Sequence, residues 1–189
     1  DAFLKQTLPT TKIINYLNQA RLPERDNNSH KTSHGKLLCV GGNAGTAGAI
    51  RLTAEAALRT GAGMVKVYTH SSSILPVSIG RPELMVTDTN LISALEWATC
   101  VAIGPGLGQD TWSETTFEAV MQYCFTNNKP LVIDADALNL MAQHASSFPL
   151  ANTVITPHPG EAARLLNCRA SDIEENRFHA VKQLARSYT

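Results

Sequence analysis

The clearest folding signal in the sequence spans residues 37–58 and reads LLCVGGNAGTAGAIRLTAEAAL. It opens on a continuous apolar run of the kind found in buried strands, Leu37 to Val40. Gly41 and Gly42 end that run. Apolar residues then recur at the spacing of one helix face, at Ile50, Ala54, Ala57 and Leu58. The segment therefore predicts a strand, a glycine-rich turn and a helix.

The same alternation continues along the chain. Apolar runs predict further strands at Met64–Tyr68, Leu84–Val86, Cys100–Ile103, Leu131–Ile133 and Val154–Ile155. Helix-spaced apolar residues separate or follow them, at Leu91–Trp97, Phe117–Phe125, Leu138–Met141, Ala162–Leu166 and Ile173–Tyr188. Segment 71–82 fits neither pattern. Continuously apolar strands between amphipathic helices predict an α/β fold, with a mainly parallel sheet and helices on both of its faces.

Composition limits the number of domains and the classes of partner. A chain of 189 residues, 43% of them hydrophobic, can bury one substantial core, so we expect a single domain. Basic and acidic residues number 16 each, so no net charge draws the protein to nucleic acid or to an anionic membrane. No stretch reaches the roughly 20 apolar residues that cross a bilayer. We expect a cytoplasmic protein with reduced cysteines that binds small molecules or other protein chains.

The two ends of the chain differ from its middle. Thr11–Ala20 carry a short helical pattern followed by polar, irregular sequence, which predicts an N-terminal helical arm at about residues 1–35. The last helical pattern, which ends at Tyr188, is followed by no further strand. Because an alternating fold pairs its helices with strands, we expect one domain across residues 1–189 whose C-terminal part is missing.

Two glycine-rich segments follow predicted strands. In open α/β sheets, ligands bind beyond the carboxyl ends of the strands. Residues 41–49 lie between a strand and a helix start, where backbone amides can approach a phosphate or pyrophosphate, and residues 104–110 place three glycines directly after a buried strand. The first segment fits neither the Walker pattern nor a clean dinucleotide fingerprint. A turn needed only for tight packing is the alternative for both segments.

Polar residues follow the fifth and sixth predicted strands. Asp134 and Asp136 come after the fifth, where paired carboxylates could hold Mg²⁺ through water or bind a substrate hydroxyl. We expect Asp136 to cap the following helix and leave the role of Asp134 open. After the sixth strand, Pro159 and Glu161 suit the first and third positions of a helix. This arrangement puts His158 at the cap, facing the ligand edge.

Five motifs, in their order along the chain, resemble one known family. They are Ser29-His30-Lys31, the glycines of residues 41–49, Gly104-Pro105-Gly106-Leu107-Gly108, Asp134-Ala135-Asp136-Ala137-Leu138-Asn139 and Thr156-Pro157-His158-Pro159-Gly160-Glu161. The combination runs from about Leu22 to Leu166 and is far more specific than any one segment. It resembles the NAD(P)H-hydrate dehydratases, whose fold is ribokinase-like.

The resemblance implies an enzyme of nicotinamide-nucleotide repair, a lyase. Family members use ADP or ATP with Mg²⁺ to phosphorylate the hydroxyl of the hydrated S-form of NADH or NADPH, and elimination then regenerates the reduced dinucleotide. The resemblance maps substrate binding onto Ala49, Gly106, Gly108 and His158. It gives supporting roles to Gly45, Gly48, Asp134, Asn139 and Glu161, and it implies a homo-oligomer.

The sequence departs from the family pattern in two places. Thr32 follows Ser29-His30-Lys31 where the family has glycine, and the 189 residues contain no Gly-x-Gly-Asp motif, which carries the family's catalytic aspartate. Neither Asp134 nor Asp172 has the sequence context to replace it. We therefore expect this chain to bind the hydrate and not to complete the reaction alone. A small-molecule kinase of the ribokinase-like group and a noncatalytic nucleotide-binding module are the alternatives.

Overall fold

Six parallel strands form one sheet in this computed structural model, which describes residues 24–144 and 152–188. In chain order they are β1 (Lys36–Val40), β2 (Met64–Tyr68), β3 (Met85–Thr87), β4 (Cys100–Ile103), β5 (Leu131–Ile133) and β6 (Thr153–Ile155). They lie side by side in the order β3-β2-β1-β4-β5-β6, and each neighbouring pair is parallel. The prediction of a mainly parallel sheet is confirmed.

Helices connect these strands and follow the last of them. They are α1 (Ala47–Thr60), α2 (Ile74–Ser78), α3 (Leu91–Trp97), α4 (Thr111–Thr126), α5 (Ala135–Gln143), α6 (Pro159–Leu166), α7 (Ala170–Glu175) and α8 (Arg177–Tyr188). Short 3-10 turns precede β1 and α2, at Lys31–His34 and Ser71–Ser73. The segment that fitted neither pattern therefore carries a short helix. The helix predicted within the N-terminal arm, Thr11–Ala20, lies outside the described residues.

The single helix expected across Ile173 to Tyr188 is wrong, because two helices occupy that stretch. Asn176 separates them, with a backbone outside the helical region (φ −145°, ψ 71°). Its side-chain oxygen accepts a hydrogen bond from the amide of His179 at 3.1 Å. Asparagine competes for amides in this way at helix starts, so Asn176 ends α7 and caps α8.

The side chains of β1 point alternately into two hydrophobic cores, one on each face of the sheet. Leu38 and Val40 pack with α3, α4 and α5, in a cluster that includes the fully buried Phe117. Cys39 points to the opposite face and packs with Ile50 and other residues of α1, α2 and β2. This alternation follows from the two-residue period of a strand. Helices therefore cover both faces of the sheet, as the sequence predicts.

The four cysteines are free thiols in differing surroundings. Cys39 and Cys124 are buried, and burial raises the pKa of each to about 12. Cys100 is half-buried and Cys168 is exposed. The two buried thiols stay protonated near neutral pH and act as small apolar side chains, as expected.

The strand order reverses between β1 and β4. From β1 the chain moves outward to β2 and β3, and it then returns across the sheet to β4 on the other side of β1. Loops that leave two such strands diverge and open a crevice between them, which is the usual ligand position in doubly wound sheets. Within the described ranges, no helix combines the length and apolar character needed to cross a membrane.

Candidate functional site

Two glycine-rich loops meet at this reversal point. The first glycine loop, residues 41–46, follows β1, and the second glycine loop, residues 104–110, follows β4. The amide of Gly42 donates to the carbonyl of Pro105 at 3.1 Å, and the amide of Asn43 donates to the carbonyl of Gly106 at 2.7 Å. The two loops therefore form one hydrogen-bonded unit at the carboxyl edge of the sheet.

The side chain of Asn43 completes the connection from a buried position. It is 8% exposed, and its Nδ2 donates to Asp110 Oδ2 at 2.9 Å and to Ser113 Oγ at 3.1 Å. Asp110 also caps α4 by accepting from the amide and hydroxyl of Ser113. These bonds, from Ser113 first and then Asn43, hold the pKa of Asp110 below its usual value. The roles of Asn43 and Asp110 were not predicted from the sequence, although an aspartate directly before a helix is a capping signal.

The glycines of the second glycine loop are required by packing. Gly104 has φ +127°, and a β-carbon there would overlap the carbonyl oxygen of Asp134. Gly106 has φ +61°, and a β-carbon would lie 2.9 Å from the β-carbon of Thr46. For Gly104 and Gly106, tight packing alone therefore explains why the residue is glycine.

A different environment surrounds Gly45 and Gly48, the glycines nearest the start of α1. A β-carbon at either position would meet no atom within 4 Å. Thr46 is the N-cap residue, yet its side chain makes no capping bond and its hydroxyl donates instead to the carbonyl of Gly106 at 2.6 Å. Ala49, in the first turn of α1, uses its amide to donate to Thr46. The N-terminus of α1 thus faces open space without a side-chain cap, which favours an anion.

The two aspartates after β5 take different roles. Asp134 is the N-cap of α5 and accepts from the amide of Ala135 at 2.9 Å, whereas Asp136 Oδ2 accepts from the amide of Gly108 at 2.8 Å. The prediction that Asp136 caps the helix is wrong, because its carboxylate braces the second glycine loop. Between them, Ala135 has φ +49°, a left-handed conformation that costs a non-glycine residue about 1 kcal/mol or more.

His158 is the N-cap residue of α6, and both of its ring nitrogens have a polar partner. Its Nδ1 accepts from the amide of Gly160 at 3.0 Å, and its Nε2 lies 3.2 Å from Oε1 of the buried Glu161. Glu161 in turn accepts a hydrogen bond from the backbone amide of His158 at 2.9 Å. The predicted cap at His158 and the predicted first position of Pro159 are confirmed. The ring therefore presents its exposed carbon edge and face, with no free lone pair.

The side chain of Asn139 forms its hydrogen bond outside the glycine loops. Its side-chain oxygen accepts from Nη1 of Arg164 at 2.9 Å, which ties α5 to α6. The structure thus brings Gly45 and Gly106 into the joint unit of the two loops, Gly108 joins that unit to Asp136, and Gly48 lies in the first turn of α1. Among the described residues, no group of three or more His, Cys, Asp or Glu side chains is placed to hold a metal ion.

Three aromatic rings lie at the same edge of the sheet, and this cluster was not predicted from the sequence. Tyr68 is the last residue of β2, His70 follows it, and Trp112 lies in the first turn of α4. The rings of Tyr68 and Trp112 are nearly parallel, with 6.4 Å between centroids and 6° between planes. His70 meets Trp112 edge-on, at 5.6 Å and 88°. The sequence signal that could have indicated this cluster is Tyr68, an aromatic residue at the end of a predicted strand next to the strand that leads into a glycine-rich loop.

Comparison with known proteins identifies the family. A family model described as NAD(P)H-hydrate dehydratase matches residues 37–189. The chain belongs to the NAD(P)H-hydrate dehydratase family. It is 51% identical, over 170 residues, to the bifunctional NAD(P)H-hydrate repair enzyme Nnr of Escherichia coli. That match covers 88% of this chain and 32% of the relative. The family predicted from the five motifs is therefore confirmed.

Solved structures of NAD(P)H-hydrate dehydratases and related proteins share the fold. The ADP/ATP-dependent NAD(P)H-hydrate dehydratase of Bacillus subtilis, co-crystallised with ATP and Mg²⁺, superposes with a TM-score of 0.74 at 27% identity. It covers 88% of this chain, which spans 60% of that protein. A ribokinase-like superfamily protein of Enterococcus faecalis gives 0.77 at 29% identity, with 87% of this chain and 58% of that one covered. The predicted ribokinase-like fold is confirmed.

Proposed function

We propose that this chain acts in the ADP- or ATP-dependent dehydration of hydrated NADH or NADPH. Membership of the NAD(P)H-hydrate dehydratase family supports the reaction class. The observation that carries the proposal is the joint unit of two glycine loops at the reversal point, beside the uncapped N-terminus of α1. A phosphate fits there because backbone amides and the helix dipole both favour negative charge.

The reaction needs a nucleotide because hydroxide is a poor leaving group. Phosphorylation of the hydrate's hydroxyl converts it into a phosphate, and elimination then restores the reduced nicotinamide ring. We assign the dinucleotide phosphates to the first turn of α1, around Gly45 and Gly48. We assign a contact with the hydrate to the exposed edge of His158, which orients the substrate and moves no proton because both ring nitrogens are engaged.

Mg²⁺ would reach this site together with the nucleotide. It commonly keeps several water ligands and binds through one or two carboxylates plus substrate phosphates, so a cluster of protein ligands is not required. Asp134 and Asp136 each use one carboxylate oxygen for a backbone amide. Their second oxygens have no hydrogen bond to the rest of the described chain, and these are the oxygens that would hold the hydrated ion. Bound there, the ion would neutralise phosphate charge.

The proposal is tested by measuring binding and turnover separately. Calorimetric titration of this chain with hydrated NADH and hydrated NADPH is expected to show saturable binding. Recovery of the near-ultraviolet absorbance of the reduced nicotinamide ring, with ADP or ATP and Mg²⁺, measures turnover against the Escherichia coli relative as positive control. We expect binding without turnover, because the sequence contains no Gly-x-Gly-Asp motif.

Each other outcome has a distinct meaning. Sustained turnover by this chain would show that its own residues complete the reaction, which would overturn the assignment of binding alone. Absence of hydrate binding would overturn the proposed function. A stable phosphorylated product without dehydration would instead indicate a small-molecule kinase. The finer assignments, including a homo-oligomer and a cytoplasmic location, remain predictions.

Gly48→Ala is expected to separate binding from folding. A methyl group in the open space before α1 would obstruct a phosphate, so affinity for the hydrate should fall roughly tenfold or more, since each tenfold is about 1.4 kcal/mol. Alanine in a helix should leave the free energy of unfolding unchanged or raise it by about 0.5–1 kcal/mol. Calorimetry and urea denaturation measure the two effects. Ala56→Ser, on an exposed face of the same helix, should leave affinity unchanged and lower the free energy of unfolding by no more than about 0.5 kcal/mol.

A further inference from the structure

The ring pair of Tyr68 and Trp112, here called the aromatic platform, has no role in the function proposed above. Both rings pack on one side against the core cluster under α3, α4 and α5, and both remain partly exposed. The nearly parallel planes and the edge-on His70 fix the orientation of Trp112 at the start of α4. The platform is therefore a surface of fixed orientation at the carboxyl edge of the sheet, where ligands bind in this class of fold.

The polar tips of the platform have no hydrogen-bond partner among the described residues. Across residues 24–144 and 152–188, the indole N–H of Trp112 and the hydroxyl of Tyr68 form no hydrogen bond with another described residue, and no buried side-chain polar atom lacks a partner. Both residues are partly exposed, and the pKa of Tyr68 is raised by desolvation and then by the nearby carboxylate of Asp88. Tyr and Trp usually pair these groups when buried, so a partly exposed aromatic pair whose tips have no partner in the described chain can receive a ring that carries its own donors and acceptors.

The platform adjoins the two glycine loops directly. The carbonyl of Tyr68 accepts from the amide of Gly41 at 3.1 Å. Trp112 follows two residues after Asp110, which accepts from Asn43 of the first glycine loop at 2.9 Å. A ligand with its phosphates at the N-terminus of α1 thus has a ring-binding surface beside it.

We propose that the aromatic platform stacks the adenine ring of the dinucleotide substrate. This inference rests on the proposed function and adds an adenine subsite to it. Hydration removes the flat, conjugated structure of the nicotinamide ring, whereas adenine is planar and stacks well on Trp and Tyr. Adenine also carries the amino group and ring nitrogens that can pair with the polar tips of the platform. ADP is the second source of adenine, and the titrations below distinguish the two.

Tryptophan fluorescence can report on the platform alone, because the chain has only two tryptophans. Trp97 lies beneath the ammonium groups of Lys66 and Lys36, at 4.4 and 5.9 Å from its ring centroid, and Lys36 begins β1 at the opposite edge of the sheet. Trp97→Phe therefore leaves Trp112 as the sole reporter. Trp112→Phe leaves Trp97 and corrects for light absorbed by the ligand.

Hydrated NADH and ADP-ribose should quench the Trp97→Phe protein, and nicotinamide mononucleotide should not. The Trp112→Phe protein should show no ligand-specific quenching. Saturating ADP should leave quenching by hydrated NADH in place. Quenching by ADP alone that hydrated NADH competes away would assign the platform to the nucleotide and overturn the proposal.

Trp112→Leu tests the contribution of stacking to affinity. Loss of the ring should weaken binding of hydrated NADH roughly tenfold to a hundredfold, whereas Trp112→Phe, which keeps a ring, should change it by less than about threefold. Trp97→Leu is the matched control, because Trp97 also packs at the border of the same core. It should lose thermal stability without losing affinity.

Failure of the platform is distinguishable from failure of the proposed function. If the unmodified chain binds hydrated NADH and Trp112→Leu, still folded by thermal unfolding, binds equally well, the adenine subsite is wrong and the function stands. If Trp112→Leu does not fold, the fluorescence of Trp97→Phe decides the matter. If the unmodified chain binds no hydrate, the proposed function fails, and the subsite fails with it.

Discussion

Gly104→Ala is expected to lower the free energy of unfolding by about 3 kcal/mol or more. The new β-carbon would overlap the carbonyl oxygen of Asp134, a backbone atom that cannot rotate away, and φ +127° is strained for alanine. Asp134 also caps α5, so relief of the overlap must displace both β4 and the start of that helix. Urea denaturation followed by circular dichroism measures the loss.

Gly45→Ala is the matched control for this prediction. Gly45 also has positive φ, at +84°, yet a β-carbon there meets no atom within 4 Å. The control therefore isolates backbone strain of about 1–2 kcal/mol from steric overlap. Equal destabilisation by the two substitutions would contradict the close approach of β4 to the β5 loop.

Asn43→Asp is expected to destabilise the protein by about 3 kcal/mol at neutral pH and to weaken hydrate binding. The substitution keeps the shape of the side chain but removes the Nδ2 donor, which lies 2.9 Å from Asp110 Oδ2. A buried carboxylate would then face another carboxylate without a proton between them. The two glycine loops should separate as a result. Urea denaturation and calorimetry at matched pH measure both effects.

The pH dependence of this variant should have the opposite sign to that of the unmodified protein. In the unmodified protein the lowered pKa of Asp110 contributes stability above its unfolded pKa of about 3.9, and that contribution is lost as the pH falls through the folded value. In Asn43→Asp the facing carboxylates raise each other's pKa, so acidification should restore stability. Asn43→Ala, which introduces no charge, should lack this recovery.

Sequence patterns predict the sheet closely because its inner strands β1, β4 and β5 are mostly buried. The bounds predicted for β2, α3, β4 and β5 agree residue for residue with the structure. β4 and β5 are continuous apolar runs, β2 is an apolar run interrupted by Lys66, and α3 is a short amphipathic helix, so local sequence is sufficient to locate them. The glycine loops were also predicted, because glycine after a buried strand signals a close turn.

Contacts between distant segments explain the errors. Nothing near Asp136 in the sequence indicates that its carboxylate accepts from Gly108, and this contact leaves the capping position to Asp134. The stacking of Tyr68 on Trp112 likewise depends on β2 and α4 meeting across β1 and β4. Local patterns report which residues are buried, whereas such pairs depend on the order of the strands.

The central position of β1 has a consequence for synthesis of the chain. β1 is the first strand from the N-terminus in the described residues, but one of its two neighbours is β4. While the ribosome makes the segments from β1 to β3, Cys39 can be covered by α1, and Leu38 and Val40 still lack α4 and α5. Half of the central strand therefore stays open to water until α4 and α5 have been translated. During that interval the nascent chain exposes an apolar surface to which chaperones or neighbouring nascent chains can bind.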